Sequence, residues 1–111
     1  MVEQYVPEKG DLVILIFDPQ VGHEQKGRRP ALIISNKSFN KALGLAIACP
    51  ITNTNRDFPF HVKVDTENLT GFIMTEQIKS IDFNARKVKF VESLDEETLN
   101  KVLGITQSII F

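Results

Sequence analysis

Two guanidiniums, an imidazole and a carboxylate fall within one short stretch that opens on a glycine and closes on a proline, Gly22-His-Glu-Gln-Lys-Gly-Arg-Arg-Pro30. Arginine meets a phosphate through a planar fork of donors and keeps its charge at any working pH. Arg29 precedes Pro30, which restricts its backbone and makes the placement of its guanidinium reproducible. His23 and Glu24 are titratable groups of the kind that serve as general bases. Thr52 closes an apolar run just after Pro50, and a hydroxyl at a strand end can donate to a phosphate oxygen. The blander alternative for Thr52 is a turn threonine bonding its own backbone.

Other residues carry less. Phe58, Pro59 and Phe60 could stack on bases, although such a cluster more often belongs to a core. Cys49, inside an apolar run, reads as an inert buried thiol. His61 lies on an alternating segment and reads as a surface or packed residue. One cysteine and two distant histidines exclude a disulfide framework and a cysteine-based metal cluster. We expect no metal and no cofactor.

The elements that must position these residues are short. Leu12–Phe17 is a buried strand ended by Asp18-Pro19. Gln20–Arg29 reads as an exposed loop, long for a small domain. Ala31–Ile34 and Leu45–Ile51 are strands, the second interrupted at Pro50, where an edge or bulge is expected. Ser35–Leu43 can hold a short helical turn. Phe60–Val64 and Lys87–Val91 alternate, and Gly71–Met74 is a strand extending toward Ile81. Ser93 and Glu96 have the spacing of a capping box. Leu99, Val102, Leu103, Thr106, Ile109 and Ile110 then mark one face of a helix. The expected fold is mainly β with a C-terminal helix covering an open side of a small, bent sheet or half-open barrel.

Bulk properties agree with a single globular domain over 1–111. The 111 residues suffice for one core. A monomer of this size buries a modest core, which keeps a dimer in view. The net charge of -1 does not advertise a nucleic-acid binder. Its distribution does more: between Pro19 and Arg56 six cations face one acid, Glu24, enough for one basic face. No stretch approaches a membrane span and the N-terminus lacks signal-peptide features, so a cytoplasmic protein without membrane contact is expected.

Taken together, Tyr5-Val-Pro-Glu-Lys-Gly-Asp-Leu-Val, Phe17-Asp-Pro-Gln-Val-Gly-His-Glu-Gln, Arg29-Pro-Ala-Leu-Ile-Ile-Ser, Cys49-Pro-Ile-Thr, Phe58-Pro-Phe and Gly71 through Glu76-Gln-Ile-Lys-Ser-Ile carry a resemblance. In this order and spacing, from about Tyr5 to Arg86, the chain resembles the MazF/PemK family of toxin endoribonucleases. The resemblance implies a small SH3-like barrel, a homodimer, and sequence-specific, metal-independent cleavage of single-stranded RNA. The RNA's own 2′-hydroxyl would attack, leaving 2′,3′-cyclic phosphate and 5′-hydroxyl ends and so inhibiting translation and growth. It also implies a cognate antitoxin, whose complex with the toxin binds operator DNA. The family's key arginine and threonine fall on Arg29 and Thr52, and Glu24 and Gln77 match positions near its RNA groove. Positions 23 and 28 vary in the family, so His23 and Arg28 inherit no role from it. Candidate RNA contacts are Phe17, Lys26, Arg28, Asn53, Arg56 and Gln77. The general base stays open between Glu24 and His23, since arginine's pKa above ~12 makes it a poor one.

Two rivals differ in class. A gyrase poison of the CcdB type shares the fold but relies on a tryptophan near the C-terminus, and this chain has none. A non-catalytic nucleic-acid-binding barrel would share the basic stretch without needing Thr52 opposite Arg29.

Overall fold

The computed structural model describes residues 4–17, 27–55 and 57–111, with backbone alone at 16, 17, 27 and 28. Seven strands and two helices follow in the order β1 (Asp11–Phe17), β2 (Gly27–Ile33), α1 (Lys37–Leu43), β3 (Leu45–Thr52), β4 (His61–Asp65), β5 (Thr70–Met74), β6 (Lys79–Asp82), β7 (Lys89–Ser93) and α2 (Glu96–Ile110). A 3₁₀ turn, Thr75–Gln77, separates β5 from β6. The strands form one antiparallel sheet in the order β4-β5-β3-β2-β1-β7, and β6 also pairs with β3.

The register explains how so short a chain builds a core on each face of the sheet. Side chains alternate between faces along a strand. Leu12, Leu32, Cys49, Ile51, Val62, Val64 and Ile73 fall on one face, where Leu94 and Val102 join them from the chain leading into α2 and from α2 itself. Val13, Leu15, Ala31, Ile33, Ala46 and Ala48 fall on the other, closed by Ile81, Phe83 and Val88. β3 is the hinge of this arrangement. Its first half, Leu45–Ala48, pairs with β6, and its last residues, Ile51 and Thr52, pair with β5. The sheet therefore bends around β3 into the expected half-barrel.

Pro50 lies at that changeover. It was expected at an edge or bulge, yet β3 is central and Pro50 pairs in regular register with Ala31 of β2. Proline is tolerated there because the ladder on the other side of β3 is already passing from β6 to β5.

Three further expectations shift. β2 begins at Gly27 instead of Ala31, because its pairing with β1 continues through Arg29 opposite Leu15 and Arg28 opposite Ile16. The rest of the Gln20–Arg29 loop expectation lies outside the described residues. The segment from Gly71 to Ile81 is two strands, broken where Thr75 turns its amide and hydroxyl onto the Phe60 carbonyl, at 3.3 and 2.6 Å. The α2 cap is Asp95, not Ser93. Asp95 accepts from the Thr98 amide and hydroxyl, both at 2.9 Å, while Ser93 is held in β7 opposite Asp11.

Tight polar contacts fix the periphery. Asn40 of α1 is fully buried and donates to the Pro7 and Ser35 carbonyls at 2.8 and 3.2 Å. The Ser35 hydroxyl donates to Asn40 Oδ1 at 2.5 Å and accepts from the Ile47 amide. Gly44 ends α1 in the left-handed conformation that glycine adopts without a Cβ penalty. The Tyr5 hydroxyl donates to buried Asp11 at 2.5 Å, and burial together with that carboxylate pushes its pKa up. Among the described residues, no helix is long and apolar enough to cross a membrane.

Candidate functional site

The site is built from the start of β2 and the end of β3. These strands are antiparallel, with Ala31 opposite Pro50 and Leu32 opposite Cys49. Continuing that register by two residues sets Arg29 opposite Thr52, on the face that carries Ala31 and Ala48. The pairing of Arg29 with Leu15 fixes it from the other side. Arg29 is half-buried, and so is Thr52. The packed strands, rather than a loop, thus aim a guanidinium and a hydroxyl at one patch beyond the end of the second core cluster.

Thr52 makes the local contact that the blander sequence alternative foresaw. Its Oγ1 accepts from the Thr54 amide at 3.2 Å. Accepting does not consume the hydroxyl's own proton, which can still donate outward. The turn contact therefore orients the hydroxyl and is compatible with the chemistry.

A residue not singled out in the sequence reading holds Thr52 in place. A Cβ on Gly71 would come within 2.8 Å of the Thr52 carbonyl oxygen and 2.7 Å of Ile51 Cγ2. Only the absence of a side chain lets β5 approach β3 this closely. The signal was available, since an isolated glycine inside a strand often marks close backbone approach.

The remaining candidates divide. Gln77 is exposed in the 3₁₀ turn, just before Lys79, which pairs with Ala48 of β3. Asn53 is exposed directly after Thr52. The structure thus sets Arg29, Thr52 and Asn53 at one end of the β2–β3 pairing, with Gln77 in the turn leading into β6. Phe17 and Arg28 are described by backbone only, at the β1–β2 end next to Arg29. His23, Glu24, Lys26 and Arg56 lie outside the described residues. Cys49, buried and near Glu76, has its thiol pushed up to about 12, first by burial and then by that carboxylate, as the inert-thiol reading requires.

Phe58 and Phe60 were weighted toward the core and are found at the surface, 49% and 42% exposed. They sit in the turn before β4, and Val62 and Val64 take the core positions in their place. His61 is packed as expected. Its Nε2 lies 2.9 Å from Glu76 Oε2.

Arg29 and Thr52 are both half-buried, while Asn53 and Gln77 are exposed. Small-molecule sites are typically concave clefts that enclose most of the ligand. A cation, a hydroxyl and exposed amides are groups that can contact the backbone and bases of a polymer. Among the described residues no group of three His, Cys, Asp or Glu side chains is placed to hold a metal ion.

Comparison with known proteins identifies the family. Residues 8–109 match the family of PemK-like, MazF-like toxins of type II toxin–antitoxin systems. The chain is 38% identical over 86 residues to the endoribonuclease toxin MazF of Escherichia coli K12, covering 78% of each chain. It is 35% identical over 108 residues to the Escherichia coli endoribonuclease PemK, covering 93% of this chain and 81% of that one. Among solved structures, MazF in a MazE–MazF crystal from Deinococcus radiodurans superposes with a TM-score of 0.89 at 36% identity, covering 96% of this chain and 97% of that chain. With the bent sheet, its terminal helix and a match across nearly its whole length, the chain belongs to the PemK-like, MazF-like toxin family of type II toxin–antitoxin systems.

Proposed function

We propose that this chain, acting as one domain over 1–111, is a toxin endoribonuclease that cuts single-stranded RNA without a metal. The RNA's 2′-hydroxyl attacks the adjacent phosphorus, and the P–O5′ bond breaks. The products are a 2′,3′-cyclic phosphate and a 5′-hydroxyl, and atoms balance without added water. Charge gathers on the phosphoryl oxygens in the transition state, where preorganised donors contribute most. Arg29 supplies charge and a fork of N–H groups, and Thr52 supplies a hydroxyl donor. Glu24 or His23 takes the proton of the attacking hydroxyl, and the departing O5′ takes up a proton from solvent to become the 5′-hydroxyl. Asn53 and Gln77 border the path of the strand, with Phe17, Lys26, Arg28 and Arg56 as further contacts.

The observation that carries this reading is the β2–β3 register, whose continuation past Ala31 and Pro50 brings Arg29 level with Thr52. A binding barrel or a gyrase poison has no need of that pair. The names of the relatives support it, several being endoribonucleases. The titles of similar structures include toxin–antitoxin complexes, which supports a cognate antitoxin as the partner. A homodimer in the cytoplasm, inhibited by that antitoxin within a complex that binds operator DNA, completes the proposal.

The test is incubation of defined single- and double-stranded RNAs with the protein in EDTA, followed by analysis of product ends. Single strands are expected to be cut and duplexes largely spared, since unstacked bases are accessible to recognition. Products ending in 3′-hydroxyl and 5′-phosphate would rule out internal attack.

A further inference from the structure

Phe58 follows Thr52 by six residues and presents nearly half of its surface to solvent. An exposed phenylalanine ring needs a reason to hold one orientation, and the structure supplies one. The ring rests against the imidazole of His61, with centroids 5.1 Å apart and planes tilted by 54°. The His61 side chain is itself only 3% exposed. Its Nε2 lies 2.9 Å from the Glu76 carboxylate, within hydrogen-bond distance. Nδ1 is buried and has no partner. Burying an unmet polar atom is unfavourable, so the imidazole is held in place by its hydrogen bond to Glu76 and its packing against Phe58.

The brace is tied down on both sides. The His61 amide donates to the Phe58 carbonyl at 3.0 Å, closing the turn. Thr75, fully buried, bonds the Phe60 carbonyl through both its amide and its hydroxyl. The Phe58–His61 turn and the Thr75–Gln77 turn are thereby one unit, with Phe58 and Gln77 exposed on it.

This unit shares a face with the Arg29–Thr52 pair. His61 pairs with Met74, and Val62 with Ile73, which is opposite Ile51. Ile51, Ile73 and Val62 turn into the core beneath α2. His61, Met74, Pro50 and Thr52 therefore belong to the opposite face, with Arg29. Two strand spacings, about 10 Å in all, separate β4 from β3, a span that adjoining nucleotides of an extended strand can bridge.

We propose that Phe58, braced by His61 on Glu76, is a stacking platform for one unpaired nucleobase beside the phosphate held by Arg29 and Thr52. The proposal rests on the ribonuclease reading above and adds to it a base subsite and its two positioning residues. Bases stack on aromatic faces irrespective of sequence, so this subsite contributes affinity at one nucleotide position and leaves base readout to exposed amides such as Gln77.

The experiment uses the full chain and a short RNA made uncleavable by a 2′-methoxy group at the cut position, with 2-aminopurine placed at each position in turn. The wild type is expected to quench the fluorophore at one position near the cut site. Phe58→Leu keeps apolar bulk without a π face; it should abolish that quenching and weaken binding by about tenfold or more. On cleavable RNA its KM should rise while kcat stays within about threefold. Phe58→Trp, with a broader face, should bind at least as well as the wild type. His61→Gln keeps a donor for Glu76 and should retain more affinity than His61→Leu. Absence of quenching at every position, or Phe58→Leu affinity within twofold of wild type, overturns the platform, and equal affinity of the two His61 variants removes the brace. A wild type that cuts RNA while Phe58→Leu binds normally refutes the platform alone. A wild type that neither binds nor cuts RNA refutes the ribonuclease reading as well, leaving Phe58 as a contact for protein.

Discussion

On the proposed mechanism Arg29 and Thr52 would divide one task, each offering donors to the same developing charge from an adjacent strand. Losing one such donor typically costs on the order of 10²–10³ in rate. We therefore expect Arg29→Ala and Thr52→Ala each to lower kcat at least about 10²-fold, with melting temperatures close to wild type. Arg29→Lys should rescue poorly, because an ammonium does not reproduce a planar fork. Single-turnover cleavage assays alongside thermal melts decide this, and near-normal turnover in either alanine variant removes that residue from the site. Gly71→Ala probes the same geometry without touching the machinery. Its methyl group would press on the Thr52 carbonyl and Ile51, so a loss of kcat is expected with little change in the RNA affinity conferred by exposed residues.

At the scale of elements, the positions of α1 and α2 depend on a few polar contacts. Asn40 bridges the Pro7 and Ser35 carbonyls inside the protein. Asn40→Ala strands those carbonyls without a donor, and urea denaturation is expected to show a loss of about 2–3 kcal/mol. Asp95 caps α2, and its bonds from Thr98 hold its carboxyl below the usual carboxylate range. A group whose pKa is depressed by folding binds its proton more weakly in the folded state. Its stabilising contribution is therefore present above the ordinary carboxylate range and is lost as pH falls through the depressed value. Asp95→Ala should thus lower the melting temperature at pH 7 and have a shrinking effect toward acid, whereas Asp95→Asn, still a cap, should lower it less. A penalty for Asp95→Ala that does not change between neutral and acid pH would show that the cap is not what Asp95 contributes.

The whole molecule is nearly neutral, yet its cations are concentrated between Pro19 and Arg56. On the proposed function the toxin is silenced by its antitoxin, and a basic stretch is a natural seat for a flexible acidic segment that folds on binding. We expect antitoxin and RNA to compete directly for it, with electrostatics speeding encounter. Charge reversal at Lys26 and Arg28 should weaken both ligands, read by titrating uncleavable RNA at fixed salt with and without antitoxin. Unchanged RNA affinity at saturating antitoxin would exclude direct competition. The end of α2 adds a second surface: Ile109, Ile110 and Phe111 are exposed in the single chain, although the same helix buries Val102 and Thr106 against the sheet.

The helix stripe from Leu99 to Thr106, the strands around Leu12, Leu32 and Ile51 and the buried thiol were legible in the sequence. Each follows from local periodicity or from side-chain chemistry, which a linear reading carries intact. Other features depended on which strands become neighbours. Pro50 lies in a central strand because β3 exchanges β6 for β5 at that point, which its own segment does not encode. Ser93 had capping-box spacing but is committed to β7 opposite Asp11, so Asp95 caps α2 instead. Phe58 and Phe60 are surface residues because Val62 and Val64 already fill the core beneath them. The partnership of His61 with Glu76, fifteen residues apart, exists only once β4 and the 3₁₀ turn are docked. Hydrophobic pattern and residue chemistry act over a few positions, so sequence determined the elements and their reactive groups; strand pairing joins distant segments, so only the folded sheet decided which of those groups meet.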